Sequence, residues 1–278
     1  MEELRKKQLE LLRYFIDVCE QLNLKWYCVC GTALGAVKYG GYIPWDDDID
    51  VALPRPDYEK FLASASAILP KHIFVQSFRT DPAYTHEFSK LRNSNTTQIE
   101  LSVKHLNMNH GIYIDVFPLD GHPQKKHEQK LFDLQNKLFT WKQFCYIKKA
   151  PQKKLRARNF VFRLLGYHKR TAQTLSKKEK LYAKYPIEQS EYWCNYGNWQ
   201  GKLEYAHRSQ YGNGTKATFE GISVIVPENY DAYLTQKYGN WRKDPPAEKQ
   251  KSHHVITVYD AERSYVEYLN QTSSATAK

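Results

Sequence analysis

The chain has 278 residues, of which 41% are hydrophobic, 14% aromatic and 26% charged, with 13 glycines and 12 prolines; this length and balance suit one large domain with a sizeable core and exclude wholesale disorder, collagen and coiled coil. Mean hydropathy is −0.70 and no apolar run approaches the ~18 residues that cross a bilayer; the start, Met1-Glu-Glu-Leu-Arg-Lys-Lys7, lacks the apolar stretch and cleavage site of a secretory signal, so cytoplasmic residence is expected. The formal net charge of +11 favours an acidic polymer or an anionic membrane surface as partner, and no nucleic-acid-binding motif accompanies it.

Leu4, Leu11, Leu12, Phe15, Ile16, Val18, Cys19 and Leu22 recur at helical spacing and predict an amphipathic helix ending near Asn23. Trp26 to Cys30 reads as a buried strand that runs into Gly31-Thr-Ala-Leu-Gly-Ala-Val37, a short helix closed by Gly40-Gly41. A second strand is expected from Asp48 to Leu53. Pro54 and Pro56 stop it and start a helix with Tyr58, Phe61, Leu62, Ala65, Ile68 and Leu69 on one face. Ile73 to Phe78 and Phe88 to Leu91 read as further strands, a polar stretch follows to His110, and Gly111 to Asp120 alternates like a strand. Beyond a basic helical region, Trp193 to Gly214 reads as loop, Phe219 to Val226 as the last strand and Asn229 to Tyr238 as a helix. The small, polar tail after Gln271 is expected to fray. Strands mixed with helices predict an α+β fold: residues 1–125 form the core, 126–190 a basic helical insertion, 191–270 complete the core and 271–278 are disordered.

The charge is concentrated. Between Lys142 and Lys184 stand 14 lysines and arginines against one acid, Glu179, so this segment carries +13 and the remainder of the chain −2. Phe144, Tyr146, Leu155, Phe160, Val161, Phe162, Leu164, Leu165 and Tyr167 are interleaved with these charges, a pattern of basic amphipathic helices suited to peripheral contact with an anionic membrane through residues 142–184. The five cysteines (Cys19, Cys28, Cys30, Cys145, Cys194) form an odd, irregular set and read as reduced thiols.

Trp45-Asp-Asp-Asp-Ile-Asp50 is the least ordinary stretch. On a strand, residues two apart share a face, so Asp48 and Asp50, with Asp46, would aim at one point. Carboxylates that close repel unless neutralised, and a divalent cation such as Mg²⁺, or alternatively Mn²⁺, takes oxygen ligands and leaves room for substrate phosphates. An EF-hand, which also begins D-x-D-x-D, is excluded because its sixth position would be Val51 where glycine is required. Gly31-Thr32 lies upstream at a strand-to-helix junction, where free N–H groups and a hydroxyl suit a phosphate. Asp115, mid-strand between Ile114 and Val116, is the third candidate carboxylate, since an unpaired charge there would be costly.

Together G-T-A-L-G-A-V-K-Y-G-G-Y-I-P-W-D-D-D-I-D-V, K-L-R-N-S-N-T-T-Q-I-E, N-H-G-I-Y-I-D-V-F-P-L-D-G and the closing His253-His254 resemble the LicD family of bacterial phosphocholine transferases, related to the fukutin group. Lys38 and Tyr42 stand where that family often has Arg and Phe. The resemblance implies a nucleotidyltransferase-like mixed sheet flanked by helices. It further implies transfer of phosphocholine from CDP-choline to a sugar hydroxyl on a lipid-linked glycan acceptor, a teichoic-acid or lipopolysaccharide precursor. It places Asp48, Asp50 and Asp115, with Asp46, around Mg²⁺ as the catalytic metal site. Gly31, Thr32, Gly35, Lys90, Arg92, His110, Lys216, Glu220, His253 and His254 are then expected to bind nucleotide and phosphate. Choline, a quaternary ammonium, needs aromatic faces, and Trp45, Tyr113 and Trp193 are the candidates by proximity to the motifs. Two rivals stand beside this reading: a sugar-nucleotide glycosyltransferase using D-x-D, and a non-catalytic membrane-surface adaptor.

Overall fold

The computed structural model describes residues 2–146, 153–198, 201–252 and 254–269; the tail expected to fray, His253 and part of the basic segment lie outside the described residues. Helix α1 (Glu2–Gln21) buries Leu4, Leu11, Leu12, Phe15, Val18 and Cys19, the stripe that its periodicity marks. Strand β1 (Tyr27–Cys28) passes directly into α2 (Cys30–Lys38), and β2 (Asp50–Pro54) into α3 (Arg55–Ile68), whose first turn holds Pro56 where its missing N–H costs nothing. Then follow β3 (Ile73–Gln76), β4 (Ser89–Asn93), β5 (Thr97–Glu100) and the long β6 (Ile112–Gly121). Three helices make the insertion: α4 (Lys126–Gln143), α5 (Lys153–Leu164) and α6 (Thr171–Tyr182), with a 3₁₀ turn at Phe144–Tyr146. The chain returns through β7 (Tyr192–Cys194), β8 (Tyr205–His207), α7 (Arg208–Tyr211), β9 (Thr215–Phe219), β10 (Ile222–Val226), α8 (Tyr230–Tyr238) and β11 (Ile256–Asp260).

The fold is a mixed sheet flanked by helices. Its main path runs β1-β2-β6-β4-β3, with β2 and β6 parallel and the other pairs antiparallel, while β7 and β8 extend it from the far end of β6. Every residue of β6 is buried, as expected of a central strand covered on both faces. Pro118 falls between the stretch of β6 paired with β4 and the stretch paired with β7, so its missing donor sits where that edge changes partners. Phe15 of α1 and Phe61 of α3 pack at 5.4 Å between ring centroids, and Tyr58 of α3 meets the hydroxyl of Ser89 at 2.6 Å. These contacts assign the α3 side of the sheet.

The structure departs from expectation at four places. Thr97–Glu100 and Ile256–Asp260, read as polar stretch and unassigned, pair with each other as an antiparallel two-stranded sheet. The loop expected over Trp193–Gly214 contains β7 and β8, each only three residues long. The last strand is a hairpin: β9 and β10 are joined by Glu220-Gly221, both at positive φ (48° and 75°), the conformation of a type I′ turn. The second strand begins at Asp50, not Asp48.

The insertion is fastened at two places. Phe132, Tyr182, Cys194 and Tyr196 form a small core of their own between α4, α6 and β7. Lys178 of α6 donates to Glu87 Oε1 (2.5 Å) and Gln143 Oε1 (2.7 Å), and Gln143 Nε2 donates to Glu87 Oε2 (2.6 Å), all buried. This buried cluster ties α4 and α6 to the segment preceding β4.

Candidate active site

In-register pairing sets three charged side chains in a row. Asp50 of β2 lies opposite Asp115 of β6, and Asp115 opposite Lys90 of β4. Residues in register project from one face, and the neighbouring Ser89 already occupies the α3 face, so this row points to the other. Lys90 Nζ donates to Asp115 Oδ1 at 2.6 Å and lies over the Tyr113 ring, 3.3 Å from its centroid. Asp46, Asp47 and Asp48 come from the loop before β2, and their carboxylate oxygens lie within 4.8 Å of one another. Asp48 therefore reaches the site from a loop, not from the strand face it was expected to share with Asp50.

That loop is held by its backbone. Arg5 Nη2 donates to the carbonyls of Ile43 (3.3 Å), Pro44 (3.2 Å) and Asp46 (2.8 Å), and Gln8 Nε2 donates to the Asp47 carbonyl (2.8 Å). The Asp50 N–H donates to Thr32 Oγ1 (2.8 Å). A Cβ on Gly31 would stand 2.5 Å from Asp46 Oδ2, so only glycine lets the Asp46 carboxylate lie against the first turn of α2. Gly35 likewise leaves room for the Gly41 carbonyl, which a Cβ would meet at 2.3 Å.

The electrostatics are unbalanced toward negative charge. Burial, reinforced by the neighbouring carboxylates, pushes Asp48 and Asp50 well above the ordinary carboxylate range. Burial also raises Asp46, against the hydrogen bond that it shares with Asp48. Asp47 goes the other way: burial would raise it, but hydrogen bonds from His254 and Ser252 hold it down. His254 Nδ1 is 3.0 Å from Asp47 Oδ1. Burial alone would lower that imidazole, yet the Asp47 bond and the charges of Asp48 and Glu100 outweigh it and raise it to about 9. For Glu100 burial is likewise overcome, by Lys90 first and then His254 and the Tyr113 hydroxyl, and its carboxyl drops to about 2. Burial and the Lys90 charge lower His86.

These groups open on one cavity of about 920 Å³, into which Asp46, Asp48, Asp50, Glu100 and Asp115 project together with Lys90 and His254. Its acidic end offers only hard oxygen donors, which fits Mg²⁺ or Mn²⁺. Cys30 lines the same cavity, but burial raises its thiol so far that a thiolate ligand is disfavoured. Basic residues line it too: Lys243, Lys249 and Lys251 from the segment that follows α8, and Lys38, which is paired with Asp244 of that segment. Aromatic rings from Tyr39, Trp45, Phe88, Phe144 and Trp241 complete the walls. An acidic floor, a basic rim and aromatic walls suit a substrate carrying both phosphates and an organic cation.

Several expected contacts lie elsewhere. Arg92 is 1% exposed, and its guanidinium is engaged by Gln76 Oε1 (2.5 Å) and the Gly111 carbonyl (2.6 Å), so it braces β3 and β6 instead of meeting phosphate. Thr32 is buried beneath Asp50 and anchors the start of β2. His110 Nε2 bonds the Leu106 carbonyl at 2.9 Å, away from the cavity. Lys216 is exposed on β9, and Glu220, in the hairpin turn, accepts from the Tyr42 N–H (3.1 Å), a loop anchor and not a nucleotide contact. Tyr113 is buried under Lys90, and Trp193 stacks on Tyr211 with its Nε1 donating to the Ile187 carbonyl, so neither offers a face to choline. Of the aromatic candidates Trp45 lines the cavity, edge-on to Tyr39 at 6.5 Å. Sequence reasoning missed Glu100, His86, Tyr39, Phe144 and Trp241; the Gly-Asn-Trp-Arg-Lys-Asp-Pro-Pro run after Tyr238 was a signal, since aromatic and basic residues between turn formers mark a binding loop.

Comparison with known proteins bears on the same residues. Residues 23–160 match the family model described as LicD/FKTN/FKRP, nucleotidyltransferase domain. The chain is 31% identical over 269 residues, 92% of its own length and 97% of the relative's, to the lipopolysaccharide cholinephosphotransferase LicD of Haemophilus influenzae. An uncharacterized protein of Rickettsia prowazekii, RP689, is 31% identical over 123 residues, 43% of this chain and 42% of that protein. RT0683 of Rickettsia typhi, also uncharacterized, is 42% identical over 55 residues, 19% of this chain and 18% of its own.

Proposed function

The chain belongs to the LicD/FKTN/FKRP family, and from that premise we propose that it transfers phosphocholine from CDP-choline to a sugar hydroxyl of a lipid-linked glycan precursor, of lipopolysaccharide or teichoic-acid type. The observation that carries the reading is the row Asp50–Asp115–Lys90 meeting Asp46 and Asp48 at the floor of one cavity. Likeness to a cholinephosphotransferase along 97% of that protein's length supports the choice of donor.

Asp46, Asp48, Asp50 and Asp115 would hold Mg²⁺ or Mn²⁺. When bound, such an ion neutralises the charge that builds on the departing CMP oxygen and lowers the pKa of an attacking hydroxyl. Lys90, clamped by Asp115, places a fixed cation beside that floor. His254, kept protonated near neutral pH by Asp47, presents a second donor for phosphate oxygens beside the aspartate cluster. Burial and Lys90 keep His86 neutral, so its imidazole can accept the proton of an incoming hydroxyl. Trp45, Tyr39 and Trp241 supply faces for the quaternary ammonium, each worth about 0.5–2 kcal/mol.

The test is incubation of the purified chain with choline-labelled CDP-choline, a lipid-linked glycan acceptor and Mg²⁺. Release of CMP with label on the acceptor, abolished by EDTA, is the expected result. Release of a nucleoside diphosphate from a sugar nucleotide, with CDP-choline untouched, would replace this reading by glycosyl transfer.

A further inference from the structure

Helix α5 turns Asn159 inward together with the half-buried Leu155 and Phe162, and carries a second apolar stripe on its solvent side. Asn159 is buried, with its amide directed to the Phe144 carbonyl (3.4 Å), and Arg158 donates to Asn159 Oδ1 (2.9 Å) while lying over the Trp141 ring (5.3 Å). Phe160, Val161 and Leu164, which helical spacing places together on the other side, are 62%, 53% and 72% exposed, and Leu165 follows at 59%. On α4, Leu131, Leu134 and Leu138 are exposed as well, and their stripe leads to Trp141, the residue that α5 touches. Isolated exposed apolar residues are ordinary, but two helices turning such stripes outward are not.

Charge decides what covers this face. The segment 142–184 that contains α5 carries 14 basic residues against one acid in its sequence, and among its described residues Arg156, Lys169, Arg170, Lys177, Lys180 and Lys184 are exposed, so the apolar stripe belongs to a strongly cationic segment. That combination matches the boundary of an anionic bilayer, where apolar side chains enter the acyl region and lysines and arginines meet lipid phosphates. No described helix is long and apolar enough to cross a membrane, which leaves adsorption in the plane of the surface. The 3₁₀ turn on which α5 packs, through Asn159, carries Phe144, and that ring lines the active-site cavity.

We propose that the outward faces of α5 and α4 dock the protein on an anionic lipid surface, with the mouth of the cavity beside the docked helices. Docking does not depend on which donor the cavity consumes, so it can be tested apart from the reaction. The full chain is mixed with vesicles of phosphatidylcholine, with and without phosphatidylglycerol, and bound protein is measured by sedimentation. Binding is expected only to the vesicles with phosphatidylglycerol, weakened by salt, and reduced at least ~10-fold by Phe160→Ser combined with Leu164→Ser. Both positions are exposed, so the variant should fold, which circular dichroism checks, and it should retain turnover on a water-soluble acceptor. Absence of binding to acidic vesicles, or binding indifferent to the double substitution, would overturn the proposal. So would a wild-type dimer that the same substitution converts to monomer without any vesicle binding, because the face would then belong to a second copy of the chain.

Discussion

Strand β6 carries an aspartate toward each end, and the two ends treat charge in opposite ways. Asp120 is matched: Arg55 donates to both of its oxygens (2.7 and 2.6 Å) and also reaches Glu59 and Glu179, which Arg79 engages in turn. Asp115 has Lys90, yet Asp46, Asp48, Asp50 and Glu100 line the same cavity, and among the described residues His254 is the further positive group in contact with this acidic cluster, the lysines of the rim belonging to the segment after α8 and to the end of α2. Buried charge that is matched within the protein fixes structure. A surplus that the protein leaves unmatched is tolerable only if something else supplies the counter-charge, and that sets Asp120, matched within the fold, apart from Asp115, the one proposed to act in the reaction.

Substituting at each end should separate these roles. Asp120→Asn leaves Arg55 buried with weaker partners, and loss of one member of such a pair costs about 3 kcal/mol, the low end of the usual range because Glu59 and Glu179 remain. Denaturant unfolding measures it; a variant as stable as the parent would mean that the Arg55 network is ornamental. Asp48→Asn should do the reverse. It relieves repulsion among raised carboxyls, so stability without divalent cations should hold or rise, while turnover falls at least ~10²-fold, equivalent to about 2.7 kcal/mol. Normal turnover with Mg²⁺ in that variant would remove Asp48 from the reaction.

The two ends also differ in how far the sequence discloses them. Five aspartates in apolar surroundings are conspicuous, because nothing about folding alone asks for them at positions 46–50 and 115. The helical spacing of apolar residues likewise marks α1, and apolar runs mark β2 and β6, since burial on that scale leaves few alternatives. What stayed hidden depends on contacts far apart in the chain. Thr-Gln-Ile-Glu looks like polar loop until β11 pairs with it, and only that pairing turns Glu100 toward the site. Lys90 and Arg92 share a strand face and look equivalent, yet Lys90 meets an aspartate in register while Arg92 meets Gln76 and Gly111. Glu220 resembles a ligand in a one-dimensional reading, and the positive φ of its hairpin turn directs it to the Tyr42 backbone instead.

The smallest expected effect probes the surplus itself, through pH. The folded His254 lies near 9 against an ordinary 6.5, a raised value, so the stability that it contributes is complete below pH 6.5 and is lost as pH climbs to 9. Asp48 and Asp50 are also raised, and a raised carboxyl likewise withdraws stability as pH rises through its folded value. All three shifts act with one sign, and the His254 share falls between pH 6.5 and 9, so without divalent cations the protein should melt at progressively lower temperature across that interval. His254→Asn removes the imidazole's share and leaves the aspartates, so its slope across that interval should be shallower by about 3 °C, on the order of 1 kcal/mol for a chain of this size. Melting curves in EDTA across the interval supply the comparison. Parallel slopes would mean that His254 is not held charged against Asp47, and the positive side of the cavity would then rest on Lys90 and the lysines of the rim.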